Sequence, residues 1–314
     1  MAGGTTTLGS SPTTGAVREA LSGRRFNVGQ AAFQLLLLLS LVIALGVLIT
    51  LLVDVWRRGS SVLFARGLDF LTAPTSANAA IAGVWQGIVG SIVIVLIVLL
   101  VAYPIGLGSA IYLEEYAKDT RLTRTLNAVV RNLAGVPAIV FGLLGLAVFV
   151  TALSSVTGGR SVIAGGLTMA ALVMPIVVIT TGEALRAVPS SIREAGYGVG
   201  ATKWQVIRHH VLPYAAPGIF TGSILTLSRA FGETAPLVLA GGVLGGFATR
   251  PDLSLLQTLQ GPYTALPLIV FNWARQPSPD FRALSAAAII VLLVIILALN
   301  AVAIILRNRF ERRW

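Results

Sequence analysis

The chain has 314 residues, of which 55% are hydrophobic and only 11% charged, and its mean hydropathy is +0.86. This composition is typical of a membrane protein with several spans and excludes an ordinary soluble domain. The net charge of +11 is explained by basic loops beside an anionic membrane, and no polybasic run favours nucleic acid. We therefore expect contact with membrane lipid and no nucleic-acid partner. Because the chain has no cysteine, disulfides, thiolate metal sites and cysteine catalysis are excluded.

The N-terminal part of the sequence changes character near residue 28. Residues 1–28 are rich in Gly, Thr and Ser, which predicts a disordered cytoplasmic tail. The apolar run 31–55 follows; it is too long for the core of a cleavable signal peptide and lacks a small-residue cleavage site. This run is long enough to cross about 30 Å of hydrocarbon and predicts the first span. Residues 56–82 then predict an exposed connection.

Apolar runs predict further spans along the rest of the chain. They cover residues 84–112, 128–152, 161–185, 217–242 and 283–306. A charged loop is expected at 114–124, and the connection 243–281 is too polar to cross, although residues 264–273 could form an interfacial helix. The prediction is an all-α membrane protein whose six transmembrane helices lie within residues 29–307, followed by a basic cytoplasmic tail, 308–314.

The basic residues are distributed unequally between the two predicted faces of the membrane. Fifteen Lys and Arg residues lie on the face that holds both termini, and seven lie on the other face. Because basic residues concentrate in cytoplasmic loops, the N and C termini are predicted to be cytoplasmic. The expected location is a cell membrane, which the chain crosses several times.

A polar segment, Ser191–Pro213, separates the fourth and fifth predicted spans. Its motifs SIRE, from Ser191, and TKWQ, from Thr202, both fit the capping-box pattern of a helix start. Between them, three glycines fall within the five residues Gly196–Gly200, which predicts a sharp turn. We expect two short helices around a glycine elbow, closed by Pro213, and interpret the segment as a cytoplasmic docking surface.

The segment contains Glu194-Ala195-Gly196, then Gly200, then Leu212-Pro213. At this spacing it resembles the EAA loop of bacterial ABC importer permeases, which grips the ATPase subunit. It departs from that pattern at Gly196, where the family has Ala, and at His210, where the family has Ile. The alternative is an ordinary helical loop. The ATPase-docking residues that the resemblance implies are Glu194, Ala195, Gly196, Gly200, Ala201, Lys203, Leu212 and Pro213.

The fifth predicted span carries charges within an apolar sequence. Arg229 lies twelve residues after Pro217, about 18 Å into the membrane, where a charge costs at least ~2.5 kcal/mol. A continuous helix would place Thr226, Arg229 and Glu233 on one polar face. Arg229 could then be a fixed cation for an oxyanion, held by Glu233 when the passage is empty. The alternative is a structural Arg–Glu pair.

The ten residues around this pair, SRAFGETAPL from Ser228, resemble a segment of the phosphate ABC transporter permeases of PstA type. Other resembling segments are Tyr103–Gly106, Ile111–Tyr116, Gly135–Gly142, Glu183–Leu185 and Leu266–Trp273. The resemblance implies a type I ABC importer permease (MetI-like) fold that forms half of the translocation pathway for inorganic phosphate. The substrate-binding residues proposed on this basis are Arg229, Glu233, Thr226 and Ser228.

The resemblance also implies a sister permease subunit in a heterodimer, an ATPase dimer and an extracytoplasmic phosphate-binding protein. No Walker A loop is present, since neither lysine follows a glycine, so ATP and Mg belong to the partner ATPase. We expect no cofactor, metal or catalytic residue in this chain. The alternatives are a permease for molybdate or sulfate, a proton-coupled carrier, which would require more intramembrane carboxylates than Glu233, and a structural subunit.

Overall fold

A computed structural model describes residues 28–246 and 254–310. The predicted disordered tail, apart from its last residue, and the end of the basic tail lie outside these residues. The described residues form helices and no strand. Within them, five helices are long and apolar enough to cross a membrane, and the number is six if one bent helix pair is a single span.

The helices are named here in chain order. They are α1 Val28–Arg66, α2 Leu68–Thr72, α3 Trp85–Ile111, α4 Arg121–Ala134, α5 Ala138–Gly145, α6 Ser154–Thr157, α7 Val162–Arg186, α8 Ser190–Gly198, α9 Lys203–Val206, α10 Leu212–Gly232, α11 Ala235–Leu239, α12 Leu255–Leu259, α13 Leu266–Ala274 and α14 Pro279–Phe310. π-helical turns continue three of them: Tyr112–Tyr116 after α3, Leu146–Ala152 after α5 and Ile207–Val211 after α9.

The first predicted span is part of a longer helix. The chain divides into two units at Asp54, and α1 begins in one and ends in the other. Its last turns continue to Arg66, so the prediction of an exposed connection over residues 56–82 is wrong. These turns pack against α14, where a Cβ on Gly59 would lie 2.7 Å from the Ala286 backbone. Phe70 in α2 is also fully buried.

The third predicted span is broken. α4 and α5, with its π turn, meet at 101°, so a single helix over residues 128–152 is wrong. Pro137 explains the break, because it has no N–H to donate and it disfavours a helical conformation at Val136. α4 also begins at Arg121, and the π turn after α3 includes Glu114. The predicted charged loop, residues 114–124, is therefore mostly helical.

α3 and α7 form the centre of the fold. They approach closely at glycines: a Cβ on Gly106 would lie 2.7 Å from Val177 Cγ1, and one on Gly166 would lie 2.7 Å from Ile97 Cδ1. Small residues at such positions allow helices in a membrane to pack tightly. The core around this contact consists of buried residues that include Ile94, Val98, Met169, Val173 and Phe141.

The predicted interfacial helix is present as α13, but it is covered by protein. Leu266, Leu268 and Ile269 are fully buried. Trp273 packs against the rings of Phe70 and Phe281. The predicted helix is therefore confirmed, and most of its apolar residues pack against neighbouring helices. Its interfacial placement stays a prediction.

The connection before α13 is anchored by a buried tyrosine. The Tyr263 hydroxyl donates a hydrogen bond to the Leu237 carbonyl at 3.0 Å. Its ring fills the space beside Gly165, where a Cβ would lie 2.5 Å from Tyr263 Cζ. Burial raises the pKa of the Tyr263 phenol, so this side chain stays neutral and its hydrogen bond persists across the physiological range.

Candidate functional site

The helix that carries Arg229 begins in the predicted docking segment. The chain is helical without interruption from Lys203 to Gly232, so the prediction that Pro213 closes the segment is wrong. The turn before Pro213 is a π turn, in which the Leu212 N–H donates to the Ile207 carbonyl. A proline ring clashes with the carbonyl four residues earlier in a regular α-helix, and the wider turn accommodates it.

α10 ends before Glu233. The backbone of Glu233 is extended, with φ −80° and ψ 120°, so its predicted place on the helical face is wrong. Pro236 explains the end of the helix, because it cannot donate to the Gly232 carbonyl and instead lies in the first turn of α11. The pair nevertheless forms: Arg229 Nε donates to Glu233 Oε1 at 3.1 Å, with side chains 37% and 24% exposed.

The two predicted hydroxyl residues of this site have other partners. Thr226 is buried, and its hydroxyl donates to the Gly222 carbonyl of its own helix at 2.9 Å. The Ser228 hydroxyl donates to Asn300 Oδ1 on α14 at 2.9 Å. Of the four predicted substrate residues, the structure therefore pairs Arg229 with Glu233 and gives the two hydroxyls structural contacts.

The docking segment contains the predicted glycine elbow. After α8, Gly200 has φ +81°, a left-handed conformation that favours glycine. Its N–H donates to the Tyr197 carbonyl, and the Ala201 N–H donates to the Gly196 carbonyl. These two bonds are the Schellman arrangement that ends a helix. The elbow prediction is confirmed.

One of the two predicted capping boxes is present. Thr202 and Gln205 form a complete box at the start of α9, as predicted. The Ser191–Glu194 box is wrong, because α8 begins at Ser190 after Pro189 and has no side-chain cap. The Glu194 side chain is exposed instead. It is therefore accessible to a partner protein.

The remaining docking residues divide into an exposed and a packed group. A Cβ on Gly196 would lie 2.8 Å from Val206 Cγ2, so this glycine lets α8 pack closely on α9. The close contact explains why glycine is present at this position, where the family pattern has alanine. The exposed residues are Glu194, Ala195, Gly200, Lys203 and Pro213, and the buried or half-buried ones are Gly196, Ala201 and Leu212.

Sequence reasoning missed two ion pairs next to the docking segment. Arg186 pairs with Glu114, and Arg193 pairs with Glu115. The sequence signal for these pairs was Glu114 and Glu115, two acidic residues directly after an apolar run. Arg186 and Arg193 lie on the same predicted face of the membrane and had no predicted acidic partner. No group of three or more His, Asp or Glu side chains that could hold a metal ion lies within residues 28–246 and 254–310.

The sequence was compared with known families and proteins. A family model described as "Binding-protein-dependent transport system inner membrane component" matches residues 102–314. A Bacillus subtilis protein named probable ABC transporter permease protein YqgI is 30% identical over 247 residues, which are 75% of this chain and 81% of that protein. The phosphate transport system permease protein PstA 1 of Mycobacterium tuberculosis is 34% identical over 233 residues, covering 74% and 72%.

Solved structures share the fold. A bacterial alginate ABC transporter in complex with its pentasaccharide-bound periplasmic protein aligns with a TM-score of 0.60. The alignment covers 97% of this chain and 98% of that one, at 15% identity. An inward-facing MetNI methionine ABC transporter aligns with a TM-score of 0.55 and 18% identity, covering 73% and 95%.

Proposed function

Because this chain belongs to the family of binding-protein-dependent transport system inner membrane components, we propose that it forms half of the translocation pathway of an ABC importer for inorganic phosphate. Family membership confirms several of the predictions made from sequence. The chain is an ABC importer permease with the type I (MetI-like) fold. It is a multi-pass protein of the bacterial cell membrane, and it is a transport subunit rather than an enzyme.

The similarity to phosphate permeases carries the proposal about the substrate. The resemblance to the PstA type seen in the motifs is confirmed by relatives of that name at 30–34% identity over most of the chain. The solved neighbours named for methionine and alginate are only 15–18% identical and support the fold alone. Phosphate is therefore the substrate that the sequence supports best.

Arg229 is the residue that we assign to the anion. Within the described residues, Arg229 uses only Nε toward Glu233, and its two terminal nitrogens have no hydrogen-bond partner. These nitrogens form the planar fork that matches two oxygens of a phosphate. An exposed fraction of 37% leaves the fork accessible.

Glu233 complements this role. Glu233 caps the end of α10: its N–H donates to the Arg229 carbonyl at 3.2 Å, and its own backbone is already extended. A carboxylate that holds Arg229 through Nε balances the charge while the passage is empty. When the anion binds the terminal nitrogens, Glu233 releases Arg229. Thr226 and Ser228 support the same helix through their contacts with Gly222 and Asn300.

The proposed partners follow from the same assignment. A sister permease would complete the passage, and an extracytoplasmic phosphate-binding protein would deliver the substrate. An ATPase dimer would dock on the segment 191–213 and would bind ATP and Mg, so this chain needs no cofactor of its own. The exposed Glu194 and Lys203 are accessible to that dimer.

Copurification and ATPase measurements test the proposal. A tagged chain, expressed with its neighbouring genes, should retain an ATPase and a second permease in detergent. Phosphate-loaded binding protein should stimulate ATP hydrolysis by this complex, whereas sulfate or molybdate should not. Stimulation by molybdate or sulfate alone would assign a different oxyanion, and absence of an ATPase would contradict the subunit role.

A further inference from the structure

The π turn after α3 contacts three cations, one at the end of α7 and two in the docking segment. These contacts are made by three successive residues of the π turn, which we call the latch: Glu114, Glu115 and Tyr116. The contacts are Glu114 with Arg186, Glu115 with Arg193, and the Tyr116 ring with the Lys203 ammonium at 4.9 Å. The cations belong to α7, α8 and α9, so the latch holds each helix of this region.

The central contact of the latch is the most enclosed of the three. Arg193 Nη2 donates to Glu115 Oε1 at 2.7 Å, and Arg193 Nε donates to the same oxygen at 3.2 Å. The Glu115 side chain is 5% exposed and the Arg193 side chain 22%. A carboxylate buried to this extent is costly unless it is paired, so its position depends on Arg193.

Arg193 also contacts the end of α7. Its terminal nitrogens donate to the carbonyls of Leu185 and Val188 at 2.9 and 2.8 Å. The short connection 187–189 already keeps α8 near α7 through the covalent chain. The pair with Glu115 is therefore not needed for that proximity. What it adds is a fixed contact between α8 and α3.

α3 in turn contacts the helix that carries the proposed anion site. The Tyr103 hydroxyl donates to the Ser223 carbonyl of α10 at 3.2 Å. Ser223 lies about two turns before Arg229 on the same helix. Between Tyr103 and the latch, α3 packs closely on α7 at Gly106. Packed contacts thus connect α8 with α10 through α3.

We propose that the latch transmits movement of the ATPase-docking helix α8 to α3 and α10, with Glu115 and Arg193 as the positioning residues of this coupling. The inference rests on the proposed function, since it requires an ATPase docked on α8. The decisive quantity is the amount of phosphate imported for each ATP hydrolysed.

The test uses the assembled complex in vesicles. Glu115→Gln and Arg193→Gln should each retain the ATPase and hydrolyse ATP, while phosphate imported per ATP falls about tenfold. The double variant should lose no more than either single variant, because the two residues act as one unit. The matched control is the exposed ion pair of the same region, Asp119→Asn with Arg124→Gln, which should keep the wild-type ratio.

A second variant covers the case in which the glutamine variants do not assemble. Tyr116→Leu removes the ring beneath Lys203 at a half-exposed position and should lower the ratio without preventing assembly. If Glu115→Gln imports as much phosphate per ATP as the wild type, the proposal is overturned. If only Tyr116→Leu assembles, a wild-type ratio in that variant overturns it. Losses that multiply in the double glutamine variant also overturn it, because they indicate independent roles. Absence of ATP-driven phosphate uptake in the wild-type complex would instead contradict the proposed function.

Discussion

Replacing Gly200 by valine tests whether the elbow sets the docking surface. Gly200 has φ +81°, and a Cβ there would meet no atom within 4 Å. Since no clash contributes, the cost comes from the backbone conformation alone. The left-handed conformation costs a residue with a side chain about 1–2 kcal/mol, and for β-branched valine the cost approaches ~3 kcal/mol. About 2–3 kcal/mol corresponds to a roughly 30- to 150-fold loss of the docking conformation.

The assay measures ATPase retained by the tagged chain and ATP-driven uptake in vesicles. Gly200→Val should assemble with the sister permease but lose most of its ATPase and its uptake. Gly200→Asn is the matched control, because asparagine tolerates the left-handed region, and its loss should be much smaller. Normal ATPase recovery and uptake in Gly200→Val would refute the docking role. Equal losses in both variants would indicate that side-chain bulk, rather than backbone conformation, is responsible.

Two further predictions concern topology and the anion site. Because the chain has no cysteine, single cysteines can be introduced at positions 277 and 203, which are both exposed in the structure. An impermeant maleimide added outside the cell should label position 277 but not position 203. The reverse pattern would contradict cytoplasmic termini. Arg229→Gln combined with Glu233→Gln removes both charges, so the complex should assemble and retain its ATPase yet import no phosphate. Near-normal uptake would show that Arg229 and Glu233 form only a structural pair. Arg229→Lys should also lose most uptake, since an ammonium lacks the bidentate fork.

Local sequence signals predicted the features that depend on neighbouring residues. Long apolar runs located α3, α7 and α14, because each run is long enough to cross the membrane. The glycine cluster predicted the elbow, since a left-handed residue favours glycine. The Thr202–Gln205 box also formed, because its hydrogen bonds involve only residues three apart.

Proline effects and distant contacts explain what the sequence analysis missed. Pro137 and Pro236 each mark a helix break. The mean hydropathy of a long apolar run does not detect such a break. The second break displaces Glu233 from its predicted helical face. The burial of α13 depends on tertiary neighbours. The partners in the ion pairs of Arg186 and Arg193 lie 72 and 78 residues away in the sequence, so no local pattern pairs them.

The most direct test of the account is uptake of labelled phosphate by vesicles that contain the complete complex with enclosed ATP. The account predicts uptake that requires this chain, ATP and the binding protein. Excess unlabelled phosphate should suppress the uptake, and excess sulfate or molybdate should leave it nearly unchanged. Uptake that continues without ATP, or that molybdate or sulfate suppresses as strongly as phosphate does, would contradict the assignment of an ATP-driven phosphate permease.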